Sequence, residues 1–148
     1  MRGVNADTSS AAAPAPPSLR GRLAVPAGVL AAVVGAFAYV GTVDPNQPGH
    51  YPVCPLYRLT GLYCPGCGGL RSAHAFIHGD FLAALRDNAA GVAAYLAFAV
   101  VWTVWVVRAA RGRPVRIELR PVPMWTLGAV LLVFTVVRNL PFVGWLHP

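Results

Sequence analysis

The stretch Cys54-Pro-Leu-Tyr-Arg-Leu-Thr-Gly-Leu-Tyr-Cys64-Pro-Gly-Cys67-Gly-Gly holds all three cysteines of the 148-residue chain, and His74 and His78 follow it closely. It hangs between uncharged runs long enough to enter a bilayer. The fold therefore turns on whether it is the interior of a soluble core or a connection between membrane spans.

Outward toward the N-terminus, Leu23 to Val43 carries no charge over 21 residues. At 1.5 Å per residue a helix of that length covers about 30 Å, the thickness of a hydrocarbon core. Pro26 falls in the first turn of such a helix, where a missing N–H costs little. A signal peptide with a small-residue cleavage site near Gly35-Ala36 is the alternative, but the apolar run outlasts a typical h-region. Residues 1–19 are rich in Ser, Ala and Pro and read as a disordered tail. The remainder, 20–148, reads as a single membrane domain.

Outward toward the C-terminus, residues 50–88 form the Cys/His motif region. Gly69 to His78 reads as a short helix. Phe81 to Asn88 reads as a second short amphipathic piece, too short to span. Ala89 to Val107 is uncharged and carries Trp102 and Trp105 near one end, where interfacial indoles belong. The third candidate, about 122–138, is short. It begins deeper in the bilayer, thins the bilayer locally, or carries Arg138 into a polar interior with Leu140 to Leu146 as its continuation. The expected fold class is an all-α integral membrane protein with three transmembrane helices (about 23–43, 89–107 and 122–138). Short amphipathic helices and a Cys-containing loop join the first to the second.

Composition agrees. The chain is 56% hydrophobic and 11% charged, against about 25% charged in soluble domains. The formal charge is +7 and every cation is arginine. Those arginines cluster beside hydrophobic runs and form no basic face interleaved with exposed aromatics, which excludes a nucleic-acid partner and leaves the lipid bilayer. Arg20 and Arg22 flank the first span. Arg108, Arg111, Arg113, Arg116 and Arg120 crowd the loop after the second, against one acid, Glu118. The long first loop balances Arg58, Arg71 and Arg86 with Asp44, Asp80 and Asp87. The positive-inside rule then gives a multi-pass protein of the cytoplasmic membrane, with its N-terminus cytoplasmic and the Cys motif extracytoplasmic. That compartment permits disulfides.

Cys64-Pro65-Gly66-Cys67-Gly68 has the spacing of a zinc-type metal knuckle. The same spacing serves a redox pair, and a structural disulfide or buried free thiols are the plainer readings. On an ideal helix Cys67, Arg71, His74 and His78 share one face, but the helical rise puts His74 about 10 Å from Cys67. A site of Cys54, Cys64, Cys67 and a histidine therefore requires Gly68 and Gly69 to turn the chain back. His74 and His78 at i and i+4 form a second candidate pair, with Asp80 as a third ligand; hydrogen-bonded residues at a helix interface are the plainer account. Arg71 suits a carboxylate, Asp80 or Asp87, or a lipid phosphate. No catalytic triad order, phosphate loop or dinucleotide fingerprint is present, and paired acids are lacking, so an enzyme is not the favoured reading.

Taken together, Cys54-Pro55, Thr60-Gly61, Cys64-Pro65-Gly66-Cys67-Gly68, Arg71 and His78-Gly79-Asp80 resemble the signature of domain of unknown function 2752, a family of small bacterial membrane proteins, over about residues 50–105. Arg138-Asn139-Leu140-Pro141 is similar to that family's ending. Leu70 stands where members commonly have threonine, and Ala89 where they often have proline. The resemblance implies a membrane architecture and an important motif and adds no reaction. Three functions stay open: an interaction or scaffold protein, alone or as a homo-oligomer, with a structural knuckle; a metal-binding module through Cys54, Cys64 and Cys67; and a membrane thiol–disulfide oxidoreductase. Gly28, Ala32, Gly91 and Ala94 permit close helix approach.

Overall fold

A computed structural model describes residues 18–113 and 121–144. The expected tail over residues 1–17, the arginines at 116 and 120, and the continuation through 145 and 146 lie outside the described residues. Within them the chain is all helical, with no strand: α1 Leu19–Thr42, α2 Pro55–Thr60, α3 Gly69–Ile77, α4 Phe81–Ala110 and α5 Pro121–Arg138.

α1 starts earlier than the hydropathy pattern indicates. Ser18 caps it, its Oγ accepting from the Gly21 amide at 3.3 Å, and this adds a turn before Leu23. Pro26 consequently lies inside the helix and not in its first turn, a correction to the sequence reading. The interior proline is used: Pro26 is buried, and its carbonyl accepts from Trp102 Nε1 of α4 at 3.0 Å. α1 ends at Val43, and the Asp44 carboxylate closes the next turn by accepting from the Asn46 amide at 2.8 Å.

α2 occupies part of the expected Cys-containing loop. Pro55 supplies the preset φ of a first helical position, and Gly61 stops the helix at φ 72°. Gly68, at φ 76°, leads into α3. After α3, Gly79 reverses the chain and Asp80 caps α4, accepting from the Ala83 amide at 2.9 Å.

α4 is broken where the sequence divides into a short piece and a span. Asn88 has φ −162° and ψ 93°, outside the helical region. Its Oδ1 accepts from the Gly91 amide at 2.8 Å, the three-residue step of an N-cap, so Asn88 starts the second half of the helix.

α1, α3 and α4 pack together. An aromatic cluster joins them, with Tyr95 edge-on to Phe37 (5.2 Å) and to Phe76 (5.6 Å). The small core contains Val40, Cys67, Ala73, Ala84 and Val92, and with them the polar Ser72, Asn88 and Arg138. Large apolar side chains such as Leu96, Val100, Val101 and Leu132 point outward. A polar centre inside an apolar exterior is the arrangement a hydrocarbon solvent favours. Among the described residues α1 and α4 are long and apolar enough to cross a membrane, and the apolar part of α5, Val122–Arg138, is shorter.

Candidate metal centre

The end of α1, the start of α4 and the end of α5 gather around the cysteine stretch. Cys54 stands immediately before α2. Cys64 and Cys67 flank a tight turn, in which the Cys67 amide donates to the Cys64 carbonyl at 3.1 Å and the Cys64 amide donates to Cys67 Sγ at 3.2 Å. The sulfurs converge: Cys54 Sγ is 3.5 Å from Cys64 Sγ, Cys64 Sγ is 3.2 Å from Cys67 Sγ, and all three lie within 4.8 Å of one another. Three thiolates at 2.3 Å from a tetrahedral ion sit about 3.8 Å apart. Two of the observed separations fall about 0.3–0.6 Å short of that edge, and all three sulfurs stay within 4.8 Å, so the chemistry of the donors and their convergence suit a zinc-type ion after a small outward shift. All three thiols are free.

The thiols are unequal. Cys54 is lowered to about 7, first by the Tyr57 backbone amide in the opening turn of α2 and then by hydrogen bonding with the Cys67 and Cys64 thiols. Cys67 is buried, and burial followed by its contacts with Cys64 and Cys54 pushes it up to about 12. Cys54 thus ionises before Cys67.

The knuckle is held from behind through its carbonyls. Asn88 Nδ2 donates to Pro65 O (2.9 Å) and Cys67 O (3.0 Å). Arg138 Nη1, from the last turn of α5, donates to Cys64 O (3.1 Å) and Cys67 O (3.0 Å), and its Nη2 donates to Asp87 O (3.3 Å). The Arg138 guanidinium also lies over the rings of Tyr63 (5.6 Å) and Phe134 (5.1 Å). Asn139 treats Tyr63 as a strand neighbour would, accepting from its amide and donating to its carbonyl, both at 2.9 Å. With the carbonyls tied down on one side, the turn presents its sulfurs on the other.

The histidines stand apart from the sulfurs. Among the described residues the cysteines alone form a group within ligand reach of one another. Gly68 does turn the chain, but it directs α3 against α1, and His74 goes with it. His74 Nδ1 donates to Val40 O at 2.8 Å, and Nε2 lies 3.9 Å from the Asp44 carboxylate. His78 Nδ1 donates to His74 O at 2.8 Å, and the two rings are 4.3 Å apart. Asp80 is occupied as the α4 cap, so the acid beside His74 is Asp44. Arg71 is exposed, and no described carboxylate lies within 4.0 Å of it.

Asn88, Asn139 and Asp44 are site residues the sequence reading passed over. Arg138 carried a signal, a lone cation ending an apolar segment.

Comparison with known proteins adds one match. Residues 54–102, from the first cysteine to the tryptophan that meets Pro26, match the family model described as Protein of unknown function (DUF2752). No curated protein and no solved structure matches.

Proposed function

With residues 54–102 matching the DUF2752 family model, we propose that the chain is an integral membrane protein of that family whose three-cysteine knuckle binds a zinc-type metal ion. The observation that carries this is the convergence of the Cys54, Cys64 and Cys67 sulfurs to within 4.8 Å. Soft thiolate donors select zinc and its chemical neighbours. Such an ion would fasten α2, the knuckle and, through the carbonyl clamp, the ends of α4 and α5. That suits the scaffold role of a protein with no acid–base set.

The topology proposed is three spans, a cytoplasmic N-terminus and an extracytoplasmic knuckle in the cytoplasmic membrane. It is supported by the arginine distribution, by the outward-facing apolar side chains and by the convergence of alternate helix ends. The bilayer is the partner, with other copies or another membrane protein as candidates. A membrane-impermeant thiol reagent applied to intact cells should label Cys54; labelling only after the cytoplasmic face is opened would reverse the topology.

A second reading is favoured by the place of Cys64, within 3.5 Å of both other sulfurs. That arrangement suits thiol–disulfide exchange, with Cys54 ionising ahead of Cys67.

One experiment separates the two. Full-length protein is purified in detergent without chelators, assayed for metal, and alkylated with and without reductant. About one ion per chain, lost in Cys64→Ser, supports the metal reading. Metal-free protein that gains alkylation sites only after reduction supports the redox one.

A further inference from the structure

Cys54 and Cys67 open onto a cleft of about 500 Å³, a volume within the range of small-molecule sites. Cys64 is not among the residues that line it, so two of the three cysteines of the knuckle belong to the cleft wall. An ion held by three sulfurs keeps a fourth tetrahedral direction. With two of its ligand residues on the cleft wall, the cleft is the open space beside that fourth position.

The rest of the lining describes an occupant. Tyr57 and Tyr63 stack with centroids 4.7 Å apart and form an apolar wall. Arg71 lines the same cleft, exposed and with no described carboxylate in ion-pair range. A guanidinium so placed suits the bidentate grip of a carboxylate.

We propose that the cleft admits a small thiol carrying a carboxylate, whose sulfur completes the metal's tetrahedron and whose carboxylate sits on Arg71. The inference rests on the metal-binding reading above. In the exchange the incoming S–H gives its proton to solvent, its sulfur bonds the ion, and a metal-bound water leaves. No electron changes hands. Three thiolates on a divalent ion leave one negative charge, and a fourth makes two. Arg138 behind the knuckle offsets one of these, and Arg71 at the cleft offsets the incoming carboxylate.

The test uses full-length protein in detergent loaded with Co(II), whose thiolate charge-transfer absorption reports the number of bound sulfurs. On titration with 3-mercaptopropionate the absorption should grow by about a third as three sulfurs become four. The neutral 2-mercaptoethanol should bind about tenfold more weakly. Arg71→Gln should abolish that preference while the protein still takes up Co(II) with the same stoichiometry. Equal affinity for the two thiols in the unmodified protein, or no change in absorption with either, overturns the cleft ligand and leaves the metal centre standing. Failure to take up Co(II) overturns the metal centre and the ligand with it.

Discussion

Arg138 reaches 71 residues back along the chain to donate to the carbonyl oxygen of Cys67 at 3.0 Å. Through this contact and its companion to Cys64 the third long helix is tied to the knuckle, and the arginine is fully buried in making it.

Replacing Arg138 with alanine removes donors that Cys64 O and Cys67 O share with the Cys67 amide and Asn88 Nδ2, and takes the Nη2 donor from Asp87 O. The lost hydrogen bonding and the space left by a buried side chain should cost about 2–5 kcal/mol. Arg138→Ala should accumulate poorly and melt well below the unmodified protein in detergent. Arg138→Lys keeps the charge but not the planar fork, and should accumulate with a lower melting temperature in detergent. An alanine variant that melts with the unmodified protein would remove the clamp from the account.

Asn139 and Asn88 each use both ends of a side-chain amide. Aspartate keeps the shape and loses the donors, facing carbonyl oxygens with a carboxylate. Asn88→Asp should cost about 1–3 kcal/mol, more than Asn88→Gly, whose missing side chain leaves room for water. The order of the two melting temperatures is the observable.

The left-handed backbone at Gly68 sets the direction in which Cys67 meets α3. Gly68→Ala should cost about 1–2 kcal/mol for the backbone conformation and weaken metal uptake. Gly28, inside α1, has nothing within 4 Å of an added methyl group. Gly28→Ala should therefore leave uptake unchanged and raise stability by about 0.5–1 kcal/mol.

In reduced, metal-free protein Cys54 should alkylate at lower pH than Cys67. The Tyr57 amide and the neighbouring thiols lower Cys54 to about 7, so its thiolate fraction, and with it the alkylation rate, should climb through pH 7. Cys67, pushed up to about 12 by burial and by Cys64 and Cys54, should stay unmodified over the same range. Site-resolved mass spectrometry against pH checks this; a common rise at Cys54 and Cys67 would contradict it.

What the sequence made legible was local. The long apolar helices α1 and α4, the break at Asn88, and the stop and restart through Gly79 and Asp80 all follow from signals within a few neighbouring residues. α2 had such signals in Pro55 and Gly61, but its six residues are too few to show a period. Pro26 was misplaced because a single cap at Ser18 moved the helix start. The long-range contacts were not legible. Nothing near Asn139 says that it will imitate a strand beside Tyr63, and nothing near His74 says that Val40 and Asp44 will claim it. Ideal helix geometry put Cys67 on one face with His74, whereas the positive φ of Gly68 takes Cys67 off that face altogether.

The distance in sequence between the knuckle and Arg138 also sets an order of events during synthesis. The cysteines leave the ribosome well before the residue that pins their carbonyls, and a chain emerges from its N-terminus at about 5–20 residues per second. For several seconds the nascent knuckle therefore relies on Asn88 alone among its side-chain clamps. Translation of the last helix, and not of the cysteines themselves, is the step that matures the site.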